Sequence, residues 1–129
     1  MKLIIKSKQD YGTHTEEYDE VFECTKKELD DGIIIEFENG NILLTDKKIK
    51  YTRGENEMKI EEGIITECDF NTEHGMMVLD IEGLSVEKTA ESFGTLAKAK
   101  YKIKIVGIEP YTNEIEIVVE NAWNNVLIW

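Results

Sequence analysis

The sequence predicts an all-β protein, an antiparallel meander closed into a small barrel of about 8–10 strands. Three observations carry that expectation. Apolar and polar residues alternate with period two along most of the chain, the pattern of strands with one buried and one wet face. Gly, Asn and Asp recur between these runs at hairpin spacing, while the chain holds a single Pro. Only Ser85 to Ser92 and Ala122 to Trp129 read as candidate helices, and neither has a broad apolar stripe with caps.

In chain order the expected strands are Lys2 to Lys8, Glu16 to Thr25, Gly32 to Glu38, Ile42 to Thr45, Lys48 to Arg53 and Glu55 to Glu61. A longer run follows in which Ile64, Thr66, Cys68, Phe70 and Thr72 share a face. After the Glu73-His74-Gly75 corner, Met77, Leu79 and Ile81 alternate with Met76, Val78 and Asp80. The clearest strand is Ala97 to Ile105, where Ala97, Ala99, Tyr101, Ile103 and Ile105 face one way and four lysines the other. Glu114 to Glu120 repeats the alternation with acidic residues. A turn at Gly107-Ile108-Glu109-Pro110 would fold the two into a hairpin with Lys104 opposite Glu114 and Lys102 opposite Glu116, opposite charges fixing the register. Closure into a barrel removes exposed edges and is preferred over two packed sheets.

The 129 residues make one domain spanning 1–129. Hydrophobic residues at 41% and charged residues at 33% suit a packed core under a charged surface. A net charge of −12 argues against nucleic acid or an anionic membrane as main partner. Cys24 and Cys68 stand far apart without the CxxC spacing of a zinc or redox site, so free thiols are expected. Met1 to Asp10 reads as a strand rather than a leader, and no apolar run approaches the roughly 20 residues of a membrane span. A reducing bacterial cytoplasm is the expected home.

The segment from Asn41 to Glu120 carries a family resemblance. Its residues are Ile49-Lys50-Tyr51-Thr52-Arg53-Gly54-Glu55 followed by Met58 and Ile60, then Asp69-Phe70-Asn71-Thr72-Glu73-His74-Gly75, and finally Tyr101-Lys102-Ile103 with the Gly107 turn. On these the chain resembles the YwiB-like family of bacterial calycin-like β-barrels, a family without an assigned function. The family's aromatic–Lys–Thr pattern is here Phe70-Asn71-Thr72, so a positive charge at the barrel mouth is missing. The resemblance implies a lipocalin-like barrel and no chemistry.

No catalytic constellation, glycine-rich phosphate loop, metal-ligand set or cofactor motif is recognisable. His14 and His74 fall in turn-like segments and read as surface residues. The candidate ligand site consists of Arg53, Tyr51, Phe70, Thr72 and Tyr101. By alternation Arg53 shares a face with Ile49 and Tyr51 and points into one barrel end beside Thr72 and Tyr101. There its planar fork would either grip a carboxylate or phosphate, or close the barrel by bonding backbone carbonyls and stacking on a ring. Small inward residues (Ala97, Ala99, Thr66, Cys68, Thr72) leave room that large ones (Tyr51, Phe70, Met77, Leu79, Tyr101) would fill. The expected function is therefore non-enzymatic binding of a small, partly apolar ligand inside the barrel. The alternative is a side-chain-filled barrel that docks a protein through its acidic surface or the Trp123–Trp129 segment.

Overall fold

The computed structural model describes residues 1–121 and contains ten strands: β1 Lys2–Asp10, β2 Thr15–Glu28, β3 Gly32–Phe37, β4 Gly40–Thr45, β5 Lys48–Arg53, β6 Asn56–Glu61, β7 Ile65–Thr72, β8 Gly75–Glu91, β9 Gly94–Ile105 and β10 Ile108–Glu120. All pair antiparallel in one sheet of order β6-β5-β4-β3-β2-β1-β10-β9-β8-β7. The meander runs round a nearly closed barrel, and pairing of β1 with β10 joins the first strand to the last. No helix occurs among the described residues, and none there is long and apolar enough to cross a membrane. The expected helical segment Ala122 to Trp129, with both tryptophans, lies outside the described residues.

Alternation decides which side chains enter the barrel. Ile35, Ile42, Leu44, Ile49, Ile60, Ile81 and Ile117 are fully buried, and the β-branched isoleucines among them suit a pleated, packed surface. Ala97 and Ala99 of β9 are buried beside Ile117 and Ile115 of β10, while Lys98 and Lys100 stay outside opposite Glu116 and Glu114.

That register corrects the expected one. The lysines do face outward, but Glu114 pairs with Lys100 rather than Lys104, and Glu116 with Lys98 rather than Lys102. The turn is only Val106-Gly107, with Gly107 at φ 84°, and Pro110 is absorbed in an irregularity between Ile108 and Tyr111. Lys102 and Lys104 instead face Glu82 and Asp80 of β8, and Lys104 closes on Glu82 at 2.9 Å. A second correction concerns Ser85 to Ser92, expected as a possible helix. Most of it is the second half of β8, because an irregularity at Leu84 resets the alternation and turns Val86, Lys88 and Ala90 toward Ala99, Ala97 and Thr95.

The two end strands of the sheet, β6 and β7, meet without any strand pairing. Side chains bridge them instead. Thr66 Oγ1 donates to the Lys59 carbonyl at 2.7 Å and the Cys68 thiol to the Glu57 carbonyl at 2.9 Å. The Asn71 amide N–H reaches Asn56 Oδ1 at 3.0 Å. The far end of this seam is pinned by backbone bonds, Gly63 N–H to the Gly83 carbonyl and Gly83 N–H to that of Ile64.

Candidate functional site

The turns at 11–14, 38–39, 54–55, 73–74 and 106–107 all lie at one end of the barrel, opposite the end at which β1 begins. At this mouth, apolar filling gives way to aromatic and polar side chains. The chain's five tyrosines gather toward this end. Tyr18 lies near Tyr11, and Tyr11 packs against Tyr111 with ring centres 4.8 Å apart. Tyr101 is close enough to both Tyr111 and Tyr51 for their phenols to influence its own. Tyr51 packs against Phe37 at 6.2 Å, and Phe37 against Phe22 at 4.9 Å. Each pair follows from alternation, which puts Tyr18, Phe22, Tyr51, Tyr101 and Tyr111 on the inner face of its strand.

Arg53, the last residue of β5, is tied down from two sides. Its guanidinium bonds both carboxylate oxygens of Glu20, at 3.0 and 2.8 Å, and lies over the Phe22 ring at 5.2 Å from its centre. The hydrogen bond it donates to Glu20 raises the Arg53 pKa further, so its charge is permanent. Burial pushes the Tyr51 phenol up, against the lowering influence of Arg53. Tyr101, 4% exposed, is also pushed up by burial. It accepts a 3.3 Å hydrogen bond from Asn113 Nδ2. Burial raises Tyr111 as well, and a hydrogen bond to Glu16 raises Tyr18. The mouth therefore presents neutral phenols, which donate and accept hydrogen bonds beside large apolar ring faces. Asn113 is 3% exposed, and its Oδ1 has no hydrogen-bond partner among the described residues. A buried acceptor without a donor calls for an explanation.

Three of the five residues expected from sequence come together here, Arg53, Tyr51 and Tyr101, and Arg53 stacks on a ring as one expected version required. It bonds a carboxylate, however, where backbone carbonyls were expected. Phe70 lies at the tip of β7, opposite Met77 of β8, and is 38% exposed. Thr72 spends its hydroxyl on its own turn, donating to the Gly75 carbonyl and accepting from the His74 N–H. Glu20 and Asn113 were not anticipated. Both sit at inward positions of alternating strands, Glu20 two residues before Phe22 and Asn113 two before Ile115, and that parity was the available signal.

His14 stacks on Tyr11 at 4.9 Å in the first turn. Among the described residues no group of three or more His, Cys, Asp and Glu is placed to hold a metal ion. Cys24 and Cys68 are free and buried.

A groove of about 540 Å³ lies elsewhere, on the outer face of β8, β9, β10, β1 and β2. Two ranks of outward charge cross it: Glu87-Lys98-Glu116-Lys6-Asp19, and Lys100-Glu114-Lys8-Glu17. Such alternation fixes strand register. The groove lacks the apolar lining of a small-molecule site, so the mouth is the better candidate.

No protein-family model matches the sequence, and no curated protein matches it. The chain is similar in structure to the YwiB protein from Bacillus subtilis, with a TM-score of 0.69 over 94% of this chain and 90% of that one, at 12% sequence identity. Identity this low speaks to fold alone, and on that measure the protein has a YwiB-like fold.

Proposed function

We propose that this protein is a binding module, not an enzyme, and that its tyrosine-lined mouth takes a small, partly apolar, planar ligand. The convergence of all five tyrosines on one barrel end carries this reading, since phenol rings combine apolar contact area with a polar tip at low entropic cost. Asn113 Oδ1 would accept from a ligand N–H or O–H, and Tyr101 would donate to a neighbouring oxygen. Arg53 plays a secondary part, because an anion would have to compete with Glu20 for its fork. The burial of both free thiols suits a reducing cytoplasm, and the YwiB-like fold together with the motifs supports kinship with the calycin-like YwiB family.

The test is native mass spectrometry of gently purified protein, with titration of anilinonaphthalene sulfonate as a planar apolar probe. One retained small molecule per chain, or probe binding weakened severalfold by Tyr111→Ala and Tyr18→Ala, is the expected result. A bare chain mass together with no probe binding would remove the proposal. A second reading, a protein-docking barrel, is favoured by Met76, Val78 and Val106, which are 60%, 50% and 99% exposed. Met76 and Val78 share the outer face of β8 by alternation, and Val106 lies in the β9–β10 turn at the same end of the barrel. Loss of partner capture in Val78→Lys, with probe binding retained, would support it.

A further inference from the structure

β6 and β7, the two ends of the sheet, face each other across a seam without ladder pairing. Donation from the Glu62 N–H to the Lys47 carbonyl sets the bonding parity of β6. Ile60, Met58 and Asn56 bond to β5, and the backbone groups of Glu57, Lys59 and Glu61 face β7. On β7, the Asn71 N–H points to Asn56, so Glu67 and Asp69 face β6 in the same way. The seam therefore offers N–H groups from both strands and carbonyls from β7 that no ladder consumes. On the β6 side the carbonyls are already taken, those of Lys59 and Glu57 by the Thr66 and Cys68 bridges and that of Glu61 by the Ile64 N–H, so an added strand would displace the first two. Edges of this kind are templates for another strand.

Charge says which strand. The outward positions along the two edges are Glu57, Lys59 and Glu61 on β6 and Glu67, Asp69 and Asn71 on β7, four acids to one lysine, with Glu57 also paired to Lys50 of β5 at 3.7 Å. Glu67 also stands directly opposite Asp80 of β8, a like-charge pair whose Asp80 faces Lys104 on its other side while Glu67 faces the seam. Inward, the seam is lined by Thr66, Cys68, Met58 and Ile60, so the alternate side chains of an added strand would meet small and apolar groups. The seam is pinned by backbone only at the Gly63–Gly83 end. At the mouth end it is held by side chains, including Asn71 Nδ2 to Glu55 Oε2 at 3.2 Å.

We propose that the β6–β7 seam accepts an extended basic peptide as an added strand, its lysine or arginine side chains outward among Glu57, Glu61, Glu67 and Asp69 and its small apolar side chains inward. Entry is from the mouth end. The seam widens by about one strand spacing, ~4.8 Å, as the Thr66, Cys68 and Asn71 bridges yield to backbone bonds.

The probe is a capped hexapeptide alternating lysine and valine. Its controls are a glutamate–valine counterpart and a lysine peptide with proline at the alternate positions, which lacks half the backbone donors. Binding is read by fluorescence anisotropy and by amide hydrogen exchange of the intact chain. The lysine–valine peptide should slow exchange at Glu57, Lys59, Glu67 and Asp69 and weaken severalfold as salt is raised. Thr66→Val, which removes one bridge, should tighten it, and Asp69→Lys should loosen it, with circular dichroism verifying that both variants are folded. Equal binding of the proline peptide would mean adsorption by charge alone. Equal binding of the glutamate peptide, or no slowing of exchange in the seam, would overturn the proposal as well.

Discussion

Arg53 and Glu20 hold each other through two bonds, yet their side chains are 42% and 41% exposed, and water screens the pair. Arg53→Met should therefore lower stability by no more than about 1 kcal/mol, with the stem still packing over Phe22, as a thermal melt would report. Tyr101 and Asn113 behave differently because both are buried. Tyr101→Phe leaves the Asn113 amide with neither oxygen nor nitrogen paired and should cost about 1–3 kcal/mol. Adding Asn113→Leu removes the stranded amide and should return most of that loss, so a double-mutant cycle in urea should show strong coupling. Arg53 was legible in sequence because it shares parity with Ile49 and Tyr51. Glu20 was not, since it sits in an acidic run from Glu16 to Glu23 where one inward carboxylate looks like its outward neighbours. Asn113 was hidden by a turn placed too late, which left Tyr111 and Asn113 out of β10.

β8 bends at Leu84, and the bend brings Gly83 against β6. A Cβ on Gly83 would run into the Glu61 carbonyl, so Gly83→Ala should destabilise by about 2–3 kcal/mol and loosen the pinned end of the seam, with faster amide exchange at Gly63 and Ile64. Beyond the bend, Glu62 reaches over to β8. Its carboxylate accepts from the Val86 N–H at 3.1 Å and pairs with Lys47 at 3.1 Å, and these contacts lower its pKa, the Val86 bond most. Lys104 lowers that of Glu82. Both groups bind protons less readily folded than unfolded. Their stabilisation is thus present above the ordinary glutamate range and is lost as pH falls through the depressed values. Urea midpoints measured from neutral into acid should fall, and Glu62→Gln should flatten part of that fall. The elements themselves were nearly all readable, because period-two alternation is local. What failed was turn length: nothing local announced that Val106-Gly107 suffices and that Pro110 can be taken up within β10.

Across the whole molecule, both thiols lie inside the barrel wall, where burial pushes their pKa up. They should ignore a disulfide-exchange reagent in the native protein, and two should titrate once the chain is unfolded. That the meander closes was an argument about edges. Which strands close it was not legible, since pairing between strands more than a hundred residues apart leaves no spacing signature. The gathering of five tyrosines was hidden for the same reason. The β1–β10 ladder, Lys2 to Asp10 against Glu120 to Thr112, also sets the tempo of folding. The hairpins from β3 to β6 can zip from near neighbours as soon as they leave the ribosome. β1, already paired with β2, must wait with its other edge bare until β10 has been synthesised, and closing so large a loop is entropically slow. Refolding should accordingly take milliseconds to seconds rather than microseconds. A chain stopped before β10 would leave β1 and β9 as open edges at once, so a nascent or truncated barrel is the form that most needs a chaperone.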